Sequence, residues 1–238
     1  MTIAEGWVPV ALSAFIEAGT SAGAVIDGAE VVVWRDNKGD AHVWEDRCPH
    51  RGMRMSFGFV RGDHIACLYH GWAYDTAGQC QYIPAHPDLE VPKTIRIPTY
   101  STVEKNGIVW TSLAENADIA GVPEVALDAT PVRSLYLDCS AGTAAKALKA
   151  AALPQLSGPA EPARFEAVLH NCWRLTAGGT DILIGCQTVG AEKSALHIVL
   201  LGGSDKAAVL RAPVARWAEQ LRHSLETAGT APRMAEVA

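Results

Sequence analysis

The 238-residue sequence has no apolar run approaching ~18 residues, the length at which a stretch reads as a membrane-spanning helix. Its start, MTIAEGWVPV, shows neither a basic leader nor a long apolar segment of the kind a secretory signal needs. A basic surplus is also missing. Lys and Arg number 20 against 26 Asp and Glu, a formal net charge of −6. No basic stripe is present to supply the electrostatic part of nucleic-acid or membrane-surface binding. These absences predict a cytoplasmic protein with no nucleic-acid partner and no membrane partner. A disulfide framework is lacking too. Of six cysteines, Cys80, Cys139, Cys172 and Cys186 follow no regular spacing, and in a reducing compartment they read as small buried hydrophobes. What remains is an ordinary globular composition, 49% hydrophobic and 19% charged, able to bury a sizeable core in one or two domains.

The other two cysteines stand in a pattern. Cys48-Pro49-His50 is followed, after sixteen intervening residues, by Cys67-Leu68-Tyr69-His70. This C-x-H and C-x-x-H set reads as a Rieske [2Fe–2S] site, in which one iron takes two thiolates and the other two neutral imidazoles. Two loops that each offer one Cys and one His can clamp a rhombic cluster from opposite sides. Such loops must be tight, and Gly52 and Gly71 stand where positive φ and close backbone approach cost least. Pro49 stiffens the first loop, and loop N–H groups can point at sulfur and help set the potential. Zinc is the competing reading. Structural zinc sites, however, usually pair C-x(2–4)-C with H-x(3–5)-H, whereas each loop here mixes the two residue types.

The stretch CPHRGMRMSFGFVRGDHIACLYHGWAYDTAGQC, with IP at 83–84 and GIVW at 107–110, resembles the Rieske domain of the Rieske non-haem iron oxygenases. The likeness runs over about residues 6–113 and is nearest to α subunits that demethylate or hydroxylate small aromatics and amines. It implies Cys48, His50, Cys67 and His70 as ligands of a Rieske-type [2Fe–2S] cluster. Respiratory and photosynthetic Rieske proteins carry an extra cysteine beside each ligand loop. Here the neighbours are Arg51, Gly52 and Met53, and Leu68 and Tyr69, which disfavours that branch.

Short β-rich runs alternate with turn signals up to residue 113, which predicts an all-β Rieske domain over 1–113. Residues 114–131 read as a linker or a surface strap, 132–227 as a small α+β, shortened helix-grip-like domain, and 228–238 as a tail. Within the second domain the expectation is strand, helix, three strands, helix. The alanine-rich segment is taken as helical until Pro154. Residues 163–175 are read as one strand before an A-G-G-T turn, with Phe165, Ala167, Leu169, Trp173 and Leu175 on one face. The last helix is expected to have Pro213 in its first turn and Val214, Trp217, Leu221 and Leu225 along one stripe.

That ending resembles the close of the oxygenases' catalytic domain, which in the family holds mononuclear Fe(II) through two histidines and a carboxylate. The family's closely spaced histidine pair is missing. Beyond residue 113 only His170, His197 and His223 occur. A triad drawn from separate strands, using Glu166, His170 and Asp181, stays open; otherwise mononuclear Fe(II) is not expected in this chain, and His223 is assigned to the helix's polar face. Around the cluster, Tyr69 and Trp72 are expected to shield as well as pack, and Trp44 and Trp110 to pack. His42, His64 and His86 are read as surface residues, and Glu45 and Asp46 as turn acceptors beside the first loop. The chain is thus expected to be an oxidoreductase component, not catalytic alone and with no catalytic residue of its own. It would work in a hetero-oligomer with a catalytic oxygenase subunit and a reductase or ferredoxin. A redox-sensing or ligand-binding Rieske protein, or a complete small oxygenase with a dispersed iron site, is the alternative.

Overall fold

The computed structural model describes residues 6–114 and 117–229, and the chain divides into two compact units at Ala126/Leu127. The first unit is all β. Its strands are β1 (Val8–Leu12), β2 (Ser21–Ile26), β3 (Ala29–Arg35), β4 (Ala41–Glu45), β5 (Phe59–Arg61), β6 (His64–Ala66), β7 (Ala73–Asp75), β8 (Cys80–Tyr82), β9 (Thr99–Lys105) and β10 (Ile108–Ser112). They form a six-stranded sheet, ordered β1-β10-β9-β4-β3-β2, and a four-stranded sheet, β5-β6-β7-β8. β3 is buried on both faces from Val31 to Trp34, as its unbroken β-branched and aromatic run requires. Val32, Trp34 and Trp44 on one side of the large sheet meet Ile65, Tyr74 and Cys80 of the small sheet in one core.

Residues 117–126 belong to this first unit. Trp7 Nε1 donates to the Asp118 carbonyl at 2.7 Å, and the Asn106 amide donates to the Val125 carbonyl and accepts from its N–H. The next strand begins at Ala129.

The second unit is α+β. It contains β11 (Ala129–Leu137), α1 (Ala141–Lys149), β12 (Ala152–Leu153), β13 (Glu161–Pro162), β14 (Arg164–Leu169), β15 (Cys172–Ala177), β16 (Thr180–Gly190), β17 (Lys193–Leu201) and α2 (Ser204–Gly229). The sheet order is β11-β17-β16-β15-β14. Ile182, Ile184 and Cys186 pair with Leu200, Ile198 and Leu196, and this stripe packs with Ala144 and Leu148 of α1 and Leu210, Val214 and Ala218 of α2. A sheet gripped by helices on one apolar face is the predicted fold.

Three element boundaries are corrected. α1 ends at Lys149, five residues before Pro154, because Ala152 and Leu153 pair with Pro162 and Glu161 and Leu153 is fully buried. The single strand read over 163–175 is a hairpin, β14–β15, turning at His170 and Asn171. α2 begins at Ser204 and carries Pro213 inside it, because buried Ala207 and Leu210 extend the apolar stripe past the proline. The predicted tail, 228–238, lies outside the described residues apart from the helix backbone to Gly229.

Candidate metal centre

Both ligand loops open from strand ends of the first unit: residues 46–54 follow β4, and residues 67–72 join β6 to β7. They share one backbone plan. The Gly52 N–H donates to the Cys48 carbonyl and the Cys48 N–H to the Met53 carbonyl, both at 2.8 Å. In the second loop the Gly71 N–H donates to the Cys67 carbonyl and the Cys67 N–H to the Trp72 carbonyl, both at 2.9 Å. Each loop therefore closes on its cysteine through a glycine four residues on, with φ of +72° at Gly52 and +69° at Gly71. A side chain at Gly71 would also meet Pro84, whose Cγ lies 3.0 Å from the Cβ position. The first loop is closed at its base by buried Asp46, which accepts from Ser56 N–H at 2.7 Å and Ser56 Oγ at 2.6 Å. Asp46 is an acceptor as expected, and its partner lies ten residues away, beyond the loop.

The four side chains are brought to one place but not to one environment. Cys48 is 2% exposed and Cys67 4%, both within the apolar core that also holds Trp34, Trp44, Met55, Tyr74 and Cys80. His70 is exposed and His50 half-buried, with ring centroids 4.7 Å apart. Trp72 stacks flat on His50 at 4.3 Å and 5°, and Tyr69 lies against His70 at 3.9 Å. Tyr69 is 59% exposed, so it contacts a ring without shielding the site; Trp72 does both.

The local electrostatics follow from this split. Burial pushes the Cys67 thiol up, and nearby Cys48 adds to the rise, whereas the N–H groups of Tyr69 and His70 act the other way by stabilising a thiolate. Desolvation, then the neighbouring His70 and Arg51, holds the His50 imidazole below its ordinary value, which favours the neutral ring that ligation requires. Tyr74, which the sequence reading did not single out, places its hydroxyl 3.3 Å from Cys48 Sγ in a fully buried position. Its signal in the sequence was inward alternation along β7, which by itself says only that Tyr74 faces the core. This donor set, two dry sulfurs with N–H and O–H donors around them and two imidazoles at the surface, fits a cluster with unlike irons.

Other candidates fall elsewhere. His42 is not a surface residue: it bonds buried Asp36 at 3.3 Å and packs on Trp34. His64 lies beside Asp63, and His86 is exposed. Trp44 and Trp110 are core residues. In the second unit the dispersed triad does not assemble. His170 sits in the exposed turn rather than in a strand, and Asp181 is bound by Arg174 through two hydrogen bonds of 2.9 and 2.6 Å. His197 is buried with both ring nitrogens engaged, by Ser134 Oγ at 2.8 Å and Gln187 Oε1 at 2.9 Å. His223 is exposed on α2. Among the described residues no group of three or more His, Cys, Asp or Glu side chains could hold a single metal ion. All six cysteines are free and buried. No helix among the described residues is long and apolar enough to cross a membrane.

The family described as the Rieske [2Fe-2S] domain matches residues 6–101. The first unit is a Rieske domain. Over 110 residues the chain is 38% identical to the oxidoreductase NdmD of Pseudomonas putida, covering 46% of this chain and 19% of that protein. Over 86 residues it is 38% identical to the methylxanthine N1-demethylase NdmA of the same organism, covering 36% of this chain and 24% of that protein. The chain thus spans about a fifth to a quarter of the length of these curated relatives. Solved structures extend the likeness through the second unit. NdmA of P. putida CBB5 superposes with a TM-score of 0.70 at 17% identity, over 98% of this chain and 84% of that one. Apo dicamba monooxygenase gives 0.72 at 16%, over 95% and 86%. In fold the chain resembles these solved structures through both units, a Rieske-type β unit followed by an α+β, helix-grip-like unit.

Proposed function

We propose that this chain is the Rieske electron-transfer subunit of a hetero-oligomeric non-haem iron oxygenase. It takes electrons from a reductase or ferredoxin and serves mononuclear iron in a partner subunit, with Cys48, His50, Cys67 and His70 as the cluster ligands. A [2Fe–2S] cluster held by two thiolates and two imidazoles supplies one-electron transfer at a potential above that of an all-cysteine cluster. The observation that carries the reading is the burial split: both thiols lie inside the core, while the His50 and His70 rings reach the surface. The chain's own residues then have distinct tasks. The core around Cys48 and Cys67 excludes water from the sulfur side, Tyr74 and the loop N–H groups stabilise negative charge there, and Trp72 fixes the plane of His50. The exposed rings are the shortest route for an electron to or from another protein.

A segment similar both to a demethylase and to an oxidoreductase supports the step those proteins would share, which is electron transfer, over any one substrate. The engagement of His197 and Asp181 in other bonds supports placing the oxygen-activating iron in another subunit. The test is iron content together with oxygen uptake. Purified, reconstituted protein is expected to hold about two irons per chain with a histidine-ligated [2Fe–2S] spectrum, and to consume no oxygen with methylxanthine or chlorobenzoate substrates unless a catalytic subunit is added. A third iron with substrate-dependent oxygen uptake by the lone chain would overturn it.

A further inference from the structure

The two ligand loops are held at their ends in different ways. The second, 67–72, joins strands that pair directly, with Ala66 opposite Ala73, so the sheet itself closes it. The first leaves β4 of the six-stranded sheet, passes through a single 3-10 turn, Met55–Phe57, and enters β5 of the four-stranded sheet. No ladder joins β4 to β5. In place of one, both oxygens of the Asp46 carboxylate accept from Ser56, Oδ1 from its N–H at 2.7 Å and Oδ2 from its hydroxyl at 2.6 Å. Each half of this clamp is tied to the large sheet. The Asp46 N–H donates to the Glu30 carbonyl at 3.0 Å, and the Ser56 carbonyl accepts from Ser21 Oγ at 3.1 Å. Gly23 of β2 leaves room for the clamp, since a Cβ there would stand 3.2 Å from Ser56 Oγ and 3.5 Å from Asp46 Oδ2.

Asp46 is 4% exposed and enters no ion pair among the described residues. A buried carboxylate without a cation is costly, and closing a loop requires only a neutral acceptor. The charge has a consequence that a neutral acceptor lacks. Two residues from Cys48, in surroundings of low dielectric, it opposes the arrival of an electron. We propose that Asp46 and Ser56 are positioning residues for the cluster: the clamp keeps Cys48 and His50 in ligating position, and the Asp46 charge holds the reduction potential down. The proposal rests on the electron-transfer reading above, whose four candidate ligands it adopts, and adds two residues that act through the first loop.

The test uses the full, cluster-loaded chain and reads the rate of cluster loss to a strong iron chelator, the reduction potential and the unfolding free energy. Asp46→Asn should lose its cluster about tenfold faster than the native chain, as removal of a charge-assisted hydrogen bond implies. Ser56→Ala should lose it several-fold faster, and Ser56→Thr, which keeps the hydroxyl, should match the native chain. Gly23→Ala presses on the clamp from β2 and alters neither member. It should speed loss in the native chain and add little beside Ser56→Ala. Asp46→Asn should raise the potential, and Ser56→Ala, which keeps the charge, should not. Val33→Ala, in the other core of the same unit, weakens the fold away from the loop and should change neither cluster loss nor potential. Native rates of loss in Ser56→Ala and Gly23→Ala, or a rate in Val33→Ala that rises as theirs do, would overturn the clamp. An Asp46→Asn potential at or below the native one would overturn the role of its charge. A native chain that loads no histidine-ligated cluster would instead remove the electron-transfer reading, and this proposal with it.

Discussion

Tyr74 is where a single side chain bears most directly on the chemistry of the site. Burial first, and Cys48 beside it, hold its hydroxyl protonated well above the usual tyrosine range, so toward a thiolate Cys48 it can only donate. A donor to sulfur stabilises the more negative, reduced state. One such bond is worth about 1–2 kcal/mol, which for a one-electron couple is roughly 40–90 mV. Tyr74→Phe keeps the ring and its packing and is expected to lower the reduction potential by that order in a spectroelectrochemical titration; a potential that stays put or rises would deny Tyr74 this part. The candidate ligands were legible in the sequence because cluster chemistry requires their residue types at short spacing. Tyr74, and Asp46 bonding Ser56, were not, because each acts through a partner that only the fold supplies. His42 was misread for the same reason, its partner Asp36 being six residues away across a turn.

Elements were legible where one local signal dominated. The A-G-G-T turn, the alternation along β16 and the stripe along α2 all reappear in the structure. Boundaries failed where a tertiary contact outweighed that signal, as when pairing of Leu153 with Glu161 stopped α1 early, and when Ala207 and Leu210 drew α2 past a proline. Pro213 therefore has a cost. It lacks the N–H that would bond the carbonyl of Val209, four residues back on an exposed part of the helix. An interior proline destabilises a helix by ~3 kcal/mol, partly offset by ~0.4–1 kcal/mol through its stiffening of the unfolded chain. Pro213→Ala is expected to stabilise the protein by about 2–2.6 kcal/mol, read as a rise in Tm of several degrees. A fall in Tm would show that the ring of this half-buried proline is itself required for packing.

At the scale of the whole molecule, the chain has separate cores, one around the candidate cluster ligands and another between the helices and the five-stranded sheet. The change of character in the sequence set the expected linker at residues 114–131, and the structure divides at Ala126/Leu127. It could not report that the second unit carries a polar contact inside it, His197 between Ser134 and Gln187. Burial pushes this imidazole down to about 4, from an ordinary 6.5. Between those values the unfolded chain binds a proton that the folded one does not, so stability rises with pH through this window. The full contribution is present above about pH 6.5 and is lost as pH falls toward 4, to a total of roughly 3 kcal/mol at 1.36 kcal/mol per unit. Carboxylates add their own acid limb, so the measurement is a difference: unfolding free energies of the native chain and of His197→Gln, followed from pH 7.5 to 4. The native chain should lose the extra amount between pH 6.5 and 4, and the variant, which has no proton to take up there, should not. Parallel curves would mean that His197 protonates in the folded state, and that its two hydrogen bonds rearrange to hold the charge.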